Sequence, residues 1–549
     1  MPFATLPGVH SSLQSAAIAG AGARPVEVQV DLALGLPGFH LVGLPDHACQ
    51  DARTRVLTAL RNSGYHLPQK KITVNLAPGD LRKEGAAFDL PIAVGILAAA
   101  GLIHIPERPP MLVGELALCG DVLPVRGVLP IALEARKMGM NRLIVPEPNA
   151  PEGALVQGLE VYGTRTLAEA AEIFADVGAR KPAAPASQNP PSSTADLADV
   201  RGQDAAKWAL EVAAAGGHNA LMIGPPGAGK TMLARRLPGL LPALSFEEAV
   251  EATSIWSVAG RLKPGEGLLA ARPFRAPHHT ISVAGLIGGG TPLRPGEISL
   301  AHRGVLFMDE LPEFGRAALE ALRQPLEDGE VSLVRAKDRA SLPARFMLLA
   351  AMNPCPCGHA ADQDPGRCGC TPAAKDAYSR RVSGPILDRF DVHIEIGALR
   401  TEDFLGQPKG DSSSDVRERV ESARAVQRQR YARIPGLHCN GQLSGPAARR
   451  LANATDGARS KLAEFIDVKR LSARAHDRVL KLARTIADCA GAERVTETHV
   501  GQAFQLRCLD RQVGEGKRPP RLPPLQVARQ NVLLRDPGTP PGELPREGT

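Results

Sequence analysis

The sequence is poor in aromatic side chains, which make up 3% of its 549 residues and include two Trp and four Tyr. Proteins that bind single-stranded nucleic acid without sequence preference stack its bases on aromatic rings. So few rings argue against a base-stacking platform of that kind. If the protein binds nucleic acid, we expect contacts mainly with phosphates, which the net charge of +7 favours.

Long apolar runs are also missing, because Gly and Pro interrupt them before they reach the ~20 residues of a membrane-spanning helix. Residues 1–9 lack a basic stretch followed by an apolar core, so we expect no signal peptide. Nine cysteines, an odd number in a long chain, do not resemble a secreted disulfide framework. These absences predict a cytoplasmic protein without membrane contact.

Composition divides the chain into three predicted domains, a linker and a tail. Residues 1–178 and 199–400 alternate strand and helix patterns, whereas 401–510 are helical. Residues 179–198 are rich in Pro, Ala and Ser and predict a linker. Residues 511–549 hold much Pro and Gly and few large apolar side chains, which predicts disorder. The expected fold class is α/β with a helical C-terminal part.

A phosphate-binding pattern, G-x-x-x-x-G-K-[ST], lies between a predicted strand at 220–223 and a predicted helix at 230–237. Glycines let backbone N–H groups close around phosphate oxygens, the lysine supplies a charge, and the hydroxyl suits Mg²⁺. The motif predicts binding and hydrolysis of a nucleoside triphosphate, which we take to be ATP with Mg²⁺. Its residues are Gly224, Pro225, Pro226, Gly227, Ala228, Gly229, Lys230 and Thr231.

Two further predicted strands end in polar residues. Residues 305–308 lead into Asp309, a candidate Mg²⁺ ligand, and Glu310, a candidate to orient or deprotonate the attacking water. The alternative is a surface acidic pair after a core strand. The strand at 345–351 leads to Asn353, which could position the water or the γ-phosphate, although Asn-Pro is also an ordinary turn signal.

Two arginines are candidates for the same chemistry. Arg389 could be a structural ion-pair residue, or a finger that reaches the γ-phosphate of a neighbouring subunit and stabilises transition-state charge. Arg474 opens a predicted helix of the C-terminal part and could touch the same nucleotide from there.

Four cysteines form the pattern C-x-C, ten residues, C-x-C within residues 355–370. Four thiolates so close together can enclose a tetrahedral Zn²⁺, and the polar segment between them has no core of its own. The alternative is a pair of disulfides, which a cytoplasmic setting disfavours. We expect a structural zinc site at Cys355, Cys357, Cys368 and Cys370.

Residues 331–342 read as a β-hairpin with a basic tip. Arg335, Lys337 and Arg339 cluster there and could contact DNA phosphates, which offer a motor the same handle at every nucleotide. The alternative is a solvated charged turn, which the neighbouring Asp338 favours.

The order of these elements resembles the AAA+ ATPases, and within them the Mg-chelatase-like branch that also contains the MCM-type helicases. More specifically, the chain resembles the ComM/YifB family, bacterial proteins linked to natural transformation. The resemblance covers roughly residues 5–510, and its motifs lie at 199–203, 216–219, 275–279, 303–304, 353–358 and 387–391.

The resemblance implies a hexameric ring with ATP between subunits. It assigns Arg389 as the finger acting in trans, Asn353 as the first sensor residue and Arg474, in a helical lid domain, as the second. It also implies ATP-driven DNA branch migration in recombination, with DNA and recombination proteins as partners. The Gly- and Pro-rich segment 262–300 fits an insertion found in this branch. Its His278 and His279 could suggest a metal site, but adjacent histidines without matched partners are weak ligands, so we expect a structural or subunit-contact role.

The first domain resembles the domain shared by Lon-type proteases and RadA-like recombination proteins, which has a ribosomal S5 domain 2-like fold. Where the catalytic Ser and Lys of the proteases would fall, this chain has Ala87 and Leu129. Without nucleophile and base we expect no peptidase activity. Arg82 and Lys83 are candidate DNA contacts.

Two other functions stay open at this point. A chelatase motor, which hydrolyses ATP to insert a metal into a tetrapyrrole, would have a similar ATPase core. It would not need the first domain or the cysteine module, so both argue against it. A non-proteolytic, ATP-dependent unfoldase is formally compatible with the sequence.

Overall fold

The computed structural model describes residues 10–176, 180–187, 195–263, 265–290, 293–334, 339–360, 365–397, 410–469 and 472–511. Parts of the predicted linker and of the helical part, and the tail beyond residue 511, lie outside them. Within the described ranges, none of the helices is both long and apolar enough to cross a bilayer.

The strands are β1 (His10–Ala19), β2 (Gly22–Ala33), β3 (Gly38–Val42), β4 (Lys71–Ala77), β5 (Met111–Leu112), β6 (Glu115–Leu116), β7 (Val122–Leu123), β8 (Arg142–Pro146), β9 (Glu160–Thr164), β10 (Ala220–Ile223), β11 (Phe274–Arg275), β12 (Gly288–Gly289), β13 (Arg294–Pro295), β14 (Val305–Met308), β15 (Glu330–Val334), β16 (Arg339–Pro343), β17 (Met347–Met352) and β18 (Val392–Glu395).

The α-helices are α1 (His47–Gln50), α2 (Ala52–Asn62), α3 (Asp89–Ala99), α4 (Val128–Lys137), α5 (Ala150–Gly153), α6 (Leu167–Ala175), α7 (Asp204–Gly216), α8 (Lys230–Leu240), α9 (Phe246–Val258), α10 (Val283–Ile287), α11 (Glu297–Leu300), α12 (Arg316–Ala321), α13 (Arg323–Asp328), α14 (Pro372–Ser379), α15 (Gly384–Leu387), α16 (Ser413–Tyr431), α17 (Gly445–Leu451), α18 (Asp456–Lys469), α19 (Ala473–Cys489) and α20 (Glu497–Gln505).

The first region is an α/β unit with two main sheets. One has the strand order β1-β2-β4-β3 and the other the order β5-β8-β9. Strand β2 alternates buried Val26, Val28 and Val30 with more exposed residues, as expected when one face of a sheet is covered. Helix α3 covers that face. Because its sequence is apolar all round, it is buried on nearly every side.

The second region contains a five-stranded parallel sheet with the order β11-β14-β17-β10-β18. Strands β14 and β17 are buried along their whole length, as expected of parallel strands covered on both faces. In the register, Ile223 of β10 lies beside Met352 of β17, and Met308 of β14 lies beside Ala350. The carboxyl ends of these three strands therefore meet at one edge, where open α/β sheets bind their ligands.

The helical region, α16 to α20, shares a hydrophobic core with this sheet. One cluster of buried side chains joins Met222 and Ile394 of the sheet to Val420 of α16 and Leu482 of α19. The helices therefore pack directly on the body that carries the phosphate-binding motif. Whether they act as a lid stays a prediction.

The first and second regions are joined through α4 and α9. Ala249 and Leu268 of the second region enter an apolar cluster of the first, in which Leu129 is fully buried and Ala87 is partly buried. The resemblance to Lon-type proteases predicts that these two positions correspond to the catalytic lysine and serine, which stays a prediction. In this structure both residues take part in apolar packing against the second region.

A buried carboxylate, Glu152, lies at this joint. Its Oε1 accepts a hydrogen bond from the backbone N–H of Leu129 at 2.8 Å and another from the hydroxyl of Ser257 in α9. Burial raises the pKa of Glu152, and the hydrogen bonds from Ser257 and Leu129 oppose that shift. The folded protein therefore keeps this carboxyl protonated to a higher pH than the unfolded chain does.

This raised pKa predicts a pH-dependent contribution to stability. The contribution is complete below the ordinary glutamate pKa and is lost as pH rises through the folded value, since the folded state then binds more protons than the unfolded state. Glu152→Gln imitates the neutral acid, so its melting temperature relative to wild type should rise with pH. Thermal melts across the acid-to-neutral range measure this. Glu107→Gln, at an exposed site of the same region, is the control and should show no such trend.

Candidate nucleotide-binding site

The phosphate-binding motif forms the loop between β10 and α8. Gly229 adopts a left-handed backbone conformation (φ 89°), which non-glycine residues rarely take, and stands at the N-cap of α8. The first N–H groups of a helix have no partner within it and attract anions. The loop therefore ends at a helix terminus suited to phosphate.

Lys230 lies at the centre of this edge. Its Nζ donates to the carbonyl oxygens of Gly224 (2.7 Å) and Pro225 (2.8 Å) and to Oδ1 of Asn353 (3.0 Å). Burial lowers the pKa of Lys230, and the carboxylates of Asp309 and Glu310 oppose that shift. The structure thus brings together the motif lysine and the Asn353 expected to sense the nucleotide.

Two side chains with oxygen atoms that can bind a metal ion, those of Thr231 and Asp309, lie next to each other. The hydroxyl of Thr231 donates to Oδ2 of Asp309 at 2.7 Å, so that α8 and the end of β14 meet. Hydroxyl and carboxylate oxygens are the hard ligands that Mg²⁺ prefers, together with phosphate oxygens and water. These two residues fit the ion that the sequence predicted for them.

Glu310 follows in a constrained conformation. Its φ of 54° is left-handed, which costs a non-glycine residue about 1–3 kcal/mol. Its backbone N–H donates to Oδ1 of Asp309 at 3.0 Å, and 58% of its side chain is exposed. The backbone of Glu310 is therefore fixed by a hydrogen bond to the candidate metal ligand Asp309, while the carboxylate of Glu310 stays accessible to solvent.

His279 is a neighbour that the sequence reasoning did not connect with this edge. Its Nδ1 lies 3.6 Å from Oε2 of Glu310, and its ring packs edge-on against Phe314. His279 lies just beyond β11, a strand parallel to β14, and this position could have predicted its location. Residues that follow parallel strands collect at one edge of a sheet.

Arg389 and Arg474 lie together around Asp388. Arg389 pairs with Glu327, and its Nε is buried without a hydrogen-bond partner among the described residues. Arg474 lies 3.5 Å from Oδ2 of Asp388, with 75% of its side chain exposed. Burial lowers the pKa of Arg389, and the charges of Arg474 and Arg478 lower it further. Three arginines therefore lie close together here, and Glu327 and Asp388 pair with them.

The two arginines do not join the phosphate-binding edge. Within the described part of the chain, no hydrogen bond or ion pair connects either of them to Lys230, Thr231 or Asp309. The sequence predicts that Arg474 touches the same nucleotide as Arg389, and the structure places the two arginines near each other at Asp388. A contact of either with a nucleotide stays a prediction.

The four cysteines of the C-x-C pairs converge. Their sulfur atoms all lie within 4.8 Å of one another, and three of the separations are 3.4, 3.7 and 3.8 Å. Tetrahedral Zn–S bonds of about 2.3 Å place neighbouring sulfurs about 3.8 Å apart. A hydrogen bond from the backbone of Cys370 lowers the pKa of Cys368 to about 7, towards the thiolate form that binds metals. The donor set fits Zn²⁺.

Comparison with known proteins agrees with this geometry. Family models match residues 28–149 (subunit ChlI of Mg-chelatase), 196–404 (magnesium chelatase, subunit ChlI) and 410–507 (magnesium chelatase, subunit ChlI C-terminal). Competence protein ComM of Haemophilus influenzae is 43% identical over 507 residues, which cover 90% of this chain and 97% of that protein. YifB of Escherichia coli is 42% identical over 504 residues, covering 91% and 97%.

The chain belongs to the Mg-chelatase-like ComM/YifB family. It is accordingly an ATP-binding AAA+ ATPase, and the family implies ATP and Mg²⁺ as ligands. The first region of this ComM/YifB protein also matches a Lon protease (28% identical over 181 residues) and a DNA repair protein RadA (29% over 154 residues) in part.

The hairpin of this ComM/YifB protein has the predicted form. Strands β15 and β16 pair antiparallel, from Glu330 with Pro343 to Val334 with Arg339, and buried Leu333 and Leu342 anchor them. Arg335 and Lys337 lie outside the described residues, as does the side chain of Arg339. Their contact with DNA therefore stays a prediction.

One candidate DNA contact in the first region was wrong. Lys83 is fully buried, and its Nζ donates to the carbonyl oxygen of Pro78. Burial lowers the pKa of this lysine. Its neighbour Arg82 is partly exposed and lies 3.5 Å from Glu84, so only Arg82 keeps a side chain that DNA could reach.

Proposed function

We propose that this ComM/YifB protein is a ring-shaped, hexameric motor that couples ATP hydrolysis to branch migration of DNA during natural transformation. We infer a ring because the proposed catalytic residues lie at two separate places on the subunit. Lys230, Thr231, Asp309 and Glu310 gather at the sheet edge, whereas Arg389 lies elsewhere, beside Glu327. A head-to-tail ring would bring the arginine of one subunit to the nucleotide of the next.

The proposed roles follow the chemistry of each group. Lys230 neutralises the β and γ phosphates, while Thr231 and Asp309 hold Mg²⁺. Glu310 activates the attacking water, and Asn353 positions it or the γ-phosphate. Arg389 stabilises the transition state in trans, and Arg474 supports it from the same surface.

The DNA part of the proposal rests on the relative named competence protein ComM and on the hairpin. A hairpin with Arg335, Lys337 and Arg339 at or beside its tip offers repeated phosphate contacts of the kind a translocating motor needs. Recombination proteins are the expected partners.

We also propose that the four cysteines hold a structural Zn²⁺. Four protein ligands would leave no open position, so the ion would stabilise the segment and take no part in the reaction. It would join the turn at 355–358 to the segment at 368–370; of the four cysteines only Cys355 is buried.

A chelatase motor is the second candidate, because the matching family models are named after magnesium chelatase. The first region does not distinguish the two functions, because residues 28–149 match the family model of subunit ChlI of Mg-chelatase.

The test is branch migration of a synthetic Holliday junction with ATP, run with wild type and Lys337→Ala. We expect wild type to move the junction and Lys337→Ala to lose most DNA stimulation of its ATPase while keeping basal hydrolysis, because the hairpin lies outside the ATP site. Lys137→Ala, at an exposed lysine of the first region, is the matched control. Absence of DNA binding and unwinding in wild type would favour the chelatase, and unchanged stimulation of Lys337→Ala would contradict the hairpin's role.

A further inference from the structure

The cysteine module begins directly at the nucleotide site. Cys355 follows two residues after Asn353, whose Oδ1 accepts the hydrogen bond from Lys230, and Cys355 is fully buried. A single residue, Pro354, therefore separates this first ligand from the residue that contacts the motif lysine.

The same module also touches the phosphate-binding loop. Gly358 is left-handed (φ 84°), and its N–H donates to the carbonyl oxygen of Cys355 at 3.0 Å. A Cβ atom at Gly358 would lie 2.5 Å from Cδ of Pro226, closer than side chains tolerate. The turn carrying Cys355 and Cys357 is thus packed against the loop at one end and fixed to Asn353 at the other.

Apolar packing holds only part of this turn. Cys355 is buried, whereas Cys357 is exposed and Cys368 and Cys370 are partly exposed. The four sulfurs nevertheless lie within 4.8 Å, a separation at which ionised thiolates repel one another unless a cation lies between them. A metal bound to all four would connect the turn at 355–358 to the segment at 368–370.

We propose that a thiolate-bound divalent metal, Zn²⁺ by its ligand chemistry, braces the ATP site, so that metal loss weakens nucleotide binding. The metal acts through Asn353 and Pro226 and contributes no ligand to ATP. This inference rests on the proposed zinc site but not on the DNA activity, because its test measures zinc content and ATP affinity only.

The first experiment compares wild type with the double variant Cys368→Ser/Cys370→Ser. We expect wild type to contain one zinc per chain and the variant to contain none, with an affinity for a fluorescent ATP analogue lower by about tenfold, a typical coupling between sites. Removing zinc from wild type with a chelator should do the same, and adding Zn²⁺ should restore affinity. Cys119→Ser, an exposed cysteine of the first region, should behave as wild type.

A second variant distinguishes loss of the contact between the module and the phosphate-binding loop from unfolding of the module. Gly358→Ala keeps all four thiols but places a methyl group against Pro226, so it should retain zinc and still bind the analogue more weakly. Gly369→Ala, in the same module but with no atom near its added Cβ, should bind normally. Gly436→Ala, which is left-handed like Gly358 (φ 76°) but also has no atom near its added Cβ, controls for backbone strain and should bind normally as well. Wild type without zinc, unchanged affinity after zinc loss, or wild-type affinity in Gly358→Ala would each overturn the proposal. A motor that binds ATP tightly but moves no DNA would leave it standing.

Discussion

Glu310→Gln should bind ATP as wild type does and lose at least about a hundredfold in turnover, since a positioned general base contributes about that much or more. The geometry gives the reason. Glu310 follows Asp309 directly, its carboxylate is accessible, and Asp309 and Thr231 share the proposed Mg²⁺ position. An amide keeps the shape of the side chain and the contacts of the phosphate loop but cannot take a proton from water.

Steady-state ATP hydrolysis and equilibrium binding of a fluorescent ATP analogue measure the two effects separately. Glu313→Gln is the matched control, because Glu313 lies one turn further on, is similarly exposed, and pairs with Arg381 on the surface. We expect the control to hydrolyse ATP normally. Hydrolysis by Glu310→Gln at the wild-type rate would remove Glu310 from its proposed role.

Much of the nucleotide edge was predictable from sequence, because a local motif and a general rule of parallel sheets determine it. The phosphate-binding pattern predicts the loop before α8, and polar residues after β14 and β17 must collect at the same edge. The contacts of Lys230 with Asn353 and of Thr231 with Asp309 agree with that expectation. His279 follows the same rule, but the preceding strand β11 is only two residues long, too short to be recognised as a strand from the sequence.

Other features depend on contacts between distant segments. Lys83 follows Arg82 in an apparently exposed basic pair, yet its backbone pairs with Leu44 and Asp46, and this pairing buries the side chain. Part of the predicted linker likewise bonds to the first region, where the N–H of Ala183 donates to Val161. The composition of a segment indicates its solubility and flexibility, but it does not show which distant residues will form hydrogen bonds with it.

The position of Arg474 shows the same limit. Its sequence context predicts a helix start, and α19 does begin at Ala473 with Ser472 as its N-cap. The groups around its side chain depend on how α19 packs against the segment at Asp388. That packing is tertiary, so the sequence alone does not determine which charged residues surround Arg474.

Arg389→Ala should reduce ATP turnover by about a thousandfold or more, the usual contribution of an arginine finger. If turnover is lost because the arginine finger is missing, a neighbouring subunit with an intact Arg389 should restore it. The variants Arg389→Ala and Lys230→Ala are each expected to be inactive alone. In a ring that contains both, some subunit boundaries combine the intact phosphate loop of an Arg389→Ala subunit with the intact arginine of a neighbouring Lys230→Ala subunit. In a random mixture about a quarter of the boundaries of a ring have this composition, so up to that share of wild-type activity should return.

The competing explanation is that Arg389 matters only through its ion pair with Glu327. Glu327→Ala removes that pair and keeps the arginine, so it distinguishes the two directly. A structural ion pair predicts that Glu327→Ala loses activity as Arg389→Ala does and that mixing restores nothing. A finger acting in trans predicts an active Glu327→Ala and recovery on mixing, because the guanidinium group of Arg389 then has its acceptor on the nucleotide of the adjoining subunit and does not need Glu327.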